Sequence, residues 1–171
     1  MTAQASPSAR PDRPIPPPAG LDQYEARAAQ LKAANINPRT GLATDYLNHF
    51  NEAIMLLEMI PDMPECSEDF LLWTPLSYAE HFTASNFKAR DLAISSYESA
   101  DPDVRAEFDQ MTDTMTSILS EVCSAMRGAT QDATKAMLAK QAIGWLKPLV
   151  AAAGGVINGG YETDVETIMA A

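Results

Sequence analysis

One run of residues constrains this chain more than any other. Apolar side chains recur at Val104, Phe108, Met111, Met115, Ile118, Val122 and Ala125, in steps of 4, 3, 4, 3, 4 and 3. That spacing keeps a single seam on one side of a helix through three heptads. Asp101-Pro102 supplies an N-cap followed by proline in the first helical position, and Gly128 supplies a stop. So regular a seam must be covered, either by the chain's own helices or by another chain. In a chain of 171 residues it is expected to form intramolecular core.

The rest of the sequence reads in the same helical period. Leu21, Tyr24, Ala28 and Leu31 predict a short amphipathic helix over 21–34, and Asn35 to Gly41 reads as a loop. Tyr46, Phe50, Ala53, Leu57 and Ile60 form one stripe of a helix over 42–60, with Thr44 as a possible N-cap and Pro61 as its stop. Within the connection 61–74, Phe70-Leu-Leu-Trp73 reads as an apolar plug or a short helical turn. Ser77-x-x-Glu80 is a capping box, expected to open a helix over 78–99. A further helix over 130–153 is expected to turn Ala133, Met137, Ala142, Trp145 and Leu149 inward, with a kink or break at Pro148. Four of the eight glycines lie in 154–160, read as a flexible joint or turn. Thr163-x-x-Glu166 is a second capping box before a short terminal helix. There is no βαβ alternation and no internal repeat. The expected fold is all-α, an antiparallel bundle of four to five helices over 21–153.

Residues 1–20 form a separate segment. Six of the twelve prolines lie in 1–18, too few apolar groups accompany them to offset ordering entropy, and a disordered tail is expected. Pro11–Pro14 and Pro14–Pro17 are PxxP spacings, which a flexible tail can carry without function. No apolar run approaches the roughly 20 residues of a membrane span, and the N-terminus has no signal-peptide core. A cytoplasmic chain with reduced Cys66 and Cys123 is the expectation.

Charge is unevenly placed. Residues 1–40 carry five basic and three acidic side chains, whereas 41–171 carry seven basic and twenty acidic. No Lys or Arg occurs between Arg39 and Lys88, a stretch holding Asp45, Glu52, Glu58, Asp62, Glu65, Glu68, Asp69 and Glu80. Such a surface repels nucleic acid and anionic membranes and attracts cationic partners. The plainer alternative is a solvated acidic face.

The chemistry-bearing residues are few. Asp45, His49 and Glu52 share one stripe of one helix, which could ligate a divalent metal or poise a His, with His81 as a fourth candidate. The pattern lacks the repeated Glu-x-x-His of bundle di-metal sites. In a simple hairpin the two histidines sit at different depths, about 16 Å and about 6 Å from their helix ends. The plainer expectation is a structural His49 hydrogen-bonded to Asp45. Zinc held by His49, Cys66, His81 and Cys123 would need spacings that match no zinc pattern. Ser85-x-x-Lys88 lacks the companion motifs of serine acylases, and the 154–160 glycines lack the Lys and Ser/Thr of a phosphate loop.

No complete active site is present, and no cofactor is expected. The leading expectation is a non-enzymatic interaction or regulatory protein offering an acidic helical surface to a basic or apolar helix, with Glu58, Asp62, Glu65, Glu68, Asp69, Met111 and Met115 as contact candidates. Homodimerisation is a further possibility. The alternative is a helical metal- or small-ligand-binding protein, enzymatic or not, centred on Asp45, His49 and Glu52.

Overall fold

A computed structural model describes residues 20–159. The expected disordered tail and the Thr163–Glu166 capping box with its helix lie outside the described residues. Seven α-helices follow in order: α1 Leu21–Ala33, α2 Leu47–Met59, α3 Ser67–Leu72, α4 Tyr78–Ala84, α5 Arg90–Glu98, α6 Pro102–Gly128 and α7 Asp132–Ile157. Two 3-10 turns, Thr44–Tyr46 and Pro64–Cys66, lead into α2 and α3. The described residues contain no strand beyond one isolated bridge between Ile36 and Ala43. The all-α expectation holds, with more helices than four or five among the described residues, several of them short.

The stripe expected on α2 is the one it buries. Tyr46, Phe50, Ala53, Leu57 and Ile60 are all core, joined by Leu47 and Ile54. Thr44 does not cap the helix; it is exposed and opens the 3-10 turn without a side-chain cap bond. The chain is pinned there from a distance instead, because the Ala43 N–H donates to the Tyr78 hydroxyl at 3.0 Å.

The helix expected over 78–99 is two helices. Its start is correct: the Ser77 Oγ accepts from the Glu80 N–H at 3.2 Å, and the Glu80 carboxylate accepts from the Ser77 N–H. It stops at Ala84 because Ser85 competes for the backbone: its hydroxyl donates to the Phe82 carbonyl and accepts from the Phe87 N–H. The break lets Phe87 turn back on Phe82, with ring centroids 5.2 Å apart.

The seam of α6 is core, shifted by part of a turn. Phe108, Thr112, Met115, Leu119, Val122, Cys123 and Met126 are buried, while Met111 and Ile118 are half-buried and Ala125 is exposed. Met115 is therefore covered within the chain and cannot present itself to a partner. The Asp101 carboxylate caps this helix, accepting from the Asp103 and Val104 N–H groups.

α7 departs furthest from expectation. It runs unbroken through Pro148 and through Gly154 and Gly155. Its buried face is Ala139, Ala142, Leu146, Ala153, Val156 and Ile157; Trp145, at 55% exposure, and Met137, at 52%, point outward. Alanine-rich and apolar nearly all round, α7 has no polar side to mark its phase. It packs against both α6 and α2, and a Cβ on Gly154 would lie 3.8 Å from the Leu47 side chain. α1 is the least embedded helix: Leu31 is buried, whereas Tyr24 of the same expected stripe is exposed. None of the described helices is long and apolar enough to cross a membrane.

The loop 35–43 knits the molecule together. The Thr40 hydroxyl donates to the Ile157 carbonyl at 2.6 Å, tying the loop to the end of α7, and the Ser96 hydroxyl donates to the Gly41 carbonyl at 2.9 Å. Gly41 has φ +73°, and a Cβ there would stand 2.7 Å from the Ser96 carbonyl oxygen. Both the left-handed backbone and the closeness of α5 demand glycine. Gly41→Ala is expected to cost about 2–3 kcal/mol and lower Tm by about 5–10 °C in calorimetry. Met115→Asp is expected to abolish the cooperative melt, since an unpaired carboxylate in that core costs several kcal/mol; a helical, normally melting variant would overturn the seam's assignment to core.

Candidate functional site

Eight aromatic side chains and both histidines meet where α2, the 73–77 segment, α4, α5 and α6 converge. Tyr46 touches His49, Phe50, Tyr78, His81 and Phe108, with centroid separations between 5.2 and 6.1 Å. Tyr78 stacks on Tyr97 at 4.5 Å, and Trp73 stacks on His49 at 4.6 Å. His49 and His81 lie 6.1 Å apart, so the hairpin argument that set them at different depths fails. The chain does not turn directly from α2 into α4. It passes through α3 and then runs back along α2, carrying the start of α4 to the level of His49.

His49 is 5% exposed and holds that returning segment in place. Its Nε2 accepts from the Leu76 N–H at 3.0 Å, while the Tyr46 hydroxyl donates to the Leu76 carbonyl at 2.7 Å. Both polar groups of the Leu76 backbone are thereby satisfied by side chains of α2 and of the 3-10 turn before it. The Trp73 indole N–H donates to the His49 carbonyl at 3.1 Å. A backbone N–H can only donate, so Nε2 is the unprotonated nitrogen and His49 is the neutral, Nδ1–H tautomer. Burial, followed by the charge of nearby His81, pushes its pKa down from 6.5 to about 4.

The pairing of Asp45 with His49 expected from their spacing does not form. The Asp45 Oδ2 lies 2.9 Å from His81 Nε2, and its Oδ1 accepts from the Asn48 amide at 3.3 Å. Glu52 is exposed and joins neither histidine. The three members of the stripe thus go three ways, and His49 has its free lone pair committed to Leu76. Among the described residues, no three His, Cys, Asp or Glu side chains converge in a way that could hold a metal ion. Cys66 and Cys123 are buried free thiols, and burial pushes the Cys123 pKa up against the pull of Arg127. Burial likewise raises the pKa of Tyr46, Tyr78 and Tyr97 above the ordinary 10.0, so these phenols act as protonated hydrogen-bonding groups. Tyr97 donates to Asp109 at 2.6 Å. The chemistry of this cluster is that of a clasp.

Beside it opens a polar cleft of about 730 Å³ that spacing did not reveal. Its walls come from Lys32 at the end of α1, residues 35–45, the first two turns of α2, Phe87 and the end of α7. Five of the chain's six asparagines line it: Asn35, Asn37, Asn48, Asn51 and Asn158. Asp45 sits on its edge, shared with the aromatic cluster. The only signal in the sequence was the asparagine content of 35–51, which reads equally well as loop and helix surface.

The outward side of α2 is the second candidate surface. Met55 and Met59 are 55% and 37% exposed, and Met63, whose N–H donates to the Met59 carbonyl, continues the line at 42%. Glu52, Glu58, Asp62, Glu65, Glu68 and Asp69 are all exposed around it, and Leu72 on α3 is 79% exposed. Lys147 of α7 reaches in, at 2.6 Å from Glu58. Of the contact candidates, the five carboxylates lie on the surface, Met111 is half-buried and Met115 is fully buried. Comparison with protein-family models, curated proteins and solved structures finds no match to this chain.

The clasp makes a pH prediction. An unfolded chain takes a proton on His49 below about 6.5, whereas the folded one resists it until about 4. His49 therefore contributes stability that is present above pH 6.5 and lost as the pH falls through about 4, on the order of 3 kcal/mol in all. Urea unfolding of the wild type and of His49→Gln, which keeps an acceptor for Leu76, should show a smaller loss in the variant between pH 7 and pH 4. Parallel profiles would count against the neutral-histidine clasp.

Proposed function

We propose that this protein is a non-enzymatic interaction module whose acidic, methionine-lined side of α2 and α3 docks a basic amphipathic helix of another protein. The observation that carries the reading is the exposed line Met55, Met59 and Met63, lying within a 48-residue stretch that has no Lys or Arg. Methionine is flexible and polarizable, and it suits a surface that repacks around an apolar helix face. The surrounding carboxylates favour a partner with Lys or Arg flanking that face. Two copies of this surface would bring like charges together, so the occupant is a different chain rather than a homodimer partner.

The same reading takes α2, α6 and α7 as an antiparallel bundle beneath this surface. Its support is the three-residue connection between α6 and α7 and the packing of α7 on both neighbours. It also puts the protein in the cytoplasm, a reducing compartment, supported by two buried free thiols. A strongly acidic chain is poorly suited to phosphate backbones, which supports a protein rather than a nucleic acid as partner.

A synthetic Leu/Lys amphipathic peptide, with a Leu/Glu peptide of the same pattern as control, tests the proposal by calorimetry. Only the basic peptide is expected to bind. Raising salt from about 0.1 M to about 1 M should weaken it, because the screening length falls from about 10 Å to about 3 Å. A Met55→Ser, Met59→Ser double variant should lose at least about tenfold in affinity with an unchanged melt, as expected for exposed contact residues. Equal binding of both peptides, or an unaffected double variant, would defeat the reading.

A further inference from the structure

The polar cleft is independent of the methionine surface, and its chemistry is different. Its volume of about 730 Å³ lies within the range of small-molecule sites, roughly 300–1,000 Å³. Five asparagines on its lining supply carboxamides, which offer a donor and an acceptor side by side without charge. That pairing matches neighbouring hydroxyls, each of which both gives and takes a hydrogen bond.

Several of these groups have capacity to spare. Asn48 gives its Nδ2 to Asp45, leaving its carbonyl oxygen. Asn51, one turn further along the same side of α2, makes no side-chain hydrogen bond among the described residues. The Asn37 Oδ1 accepts from the Arg39 N–H, leaving its amide group to donate. Phe87 adds a half-buried ring to the wall, a flat apolar surface of the kind that takes the C–H side of a sugar.

Charge argues for a neutral ligand. The lining carries both signs, Lys32 and Arg39 against an Asp45 carboxylate that already meets His81 and Asn48, and the chain as a whole carries −11. An anion would have to approach through the negative field of the whole chain. The walls are also pre-set. Thr40 bonds to Ile157, Asn37 and Leu42 are joined through the loop backbone at 2.9 Å, and Ile36 pairs with Ala43. A cleft built before binding need not order its own loop when the ligand arrives.

We propose that this cleft is a binding site for a neutral polyhydroxylated ligand of mono- or disaccharide size, held by the carboxamides of Asn48 and Asn51 with its apolar side toward Phe87. The test uses the full chain, labelled with nitrogen-15, and amide NMR spectra with millimolar glucose, mannose, N-acetylglucosamine, sucrose or trehalose. Inorganic phosphate and citrate serve as anionic probes. At least one sugar is expected to shift resonances in 35–51 and at Asn158. Asn51→Leu, at an exposed position, should weaken that binding about tenfold while leaving the melt unchanged. Three outcomes would overturn the proposal: no sugar in the set shifts those resonances, the shifts survive Asn51→Leu, or phosphate or citrate shifts them at lower concentration than any sugar. The methionine double variant, tested with the same sugars, should bind as the wild type does.

Discussion

Much of this architecture hangs on one backbone amide and one carbonyl. The segment between α3 and α4 must cross a buried aromatic surface, and an irregular segment there carries polar groups with no helix to satisfy them. His49 and Tyr46 take both groups of Leu76. With that segment held, α4 starts beside α2, Tyr78 reaches the Ala43 N–H, and His81 reaches Asp45. The 3-10 turn that begins α2 is thus stabilised by residues more than thirty positions away. The stacked Trp73 and His49 rings add apolar burial on the same spot.

The same geometry commits the lone pair of a histidine flanked by carboxylates at helical spacing. A catalytic or metal-binding imidazole needs a free lone pair facing substrate or ion. The His49 lone pair faces a peptide N–H, and burial keeps the ring neutral. Asp45, the one carboxylate drawn inward, is spent on His81 and Asn48. The polar capacity left over lies in the uncharged asparagines next door. One side of α2 therefore changes character along its length, from Asn48 and Asn51 at the cleft to Met55, Glu58 and Met59 beyond it. The two proposed binding surfaces can share one helix because the opposite side of α2 supplies the core.

The core itself follows two rules. α2 and α6 have mixed sequences, so their apolar sides are well marked and buried where the period puts them, within part of a turn. α7 is small and apolar nearly throughout, so several rotations of it would bury similar area. What selects one is fit: Ala139, Ala142 and Ala153 let the helix come close to its neighbours, while Trp145 would not pass between them. The unbroken passage through Pro148 and three glycines is likewise settled by packing on both sides, which supplies what local propensity withholds.

The sequence by itself determined the helical class, the α2 stripe, the α6 seam and its Asp101 cap, the Ser77–Glu80 capping box, and the acid-rich, cation-free stretch. Each of these is written in neighbouring residues, through a 3.6-residue period, a local hydrogen bond or a charge count. Tertiary structure alone decided that Asp45 would meet His81, that His49 would serve a backbone N–H, that the 78–99 helix would be two, and that five asparagines from three separate segments would line one cleft. Those outcomes depend on which distant groups arrive opposite one another once the core closes. A hydrogen bond across 27 or 36 positions leaves no periodic trace in the chain that makes it.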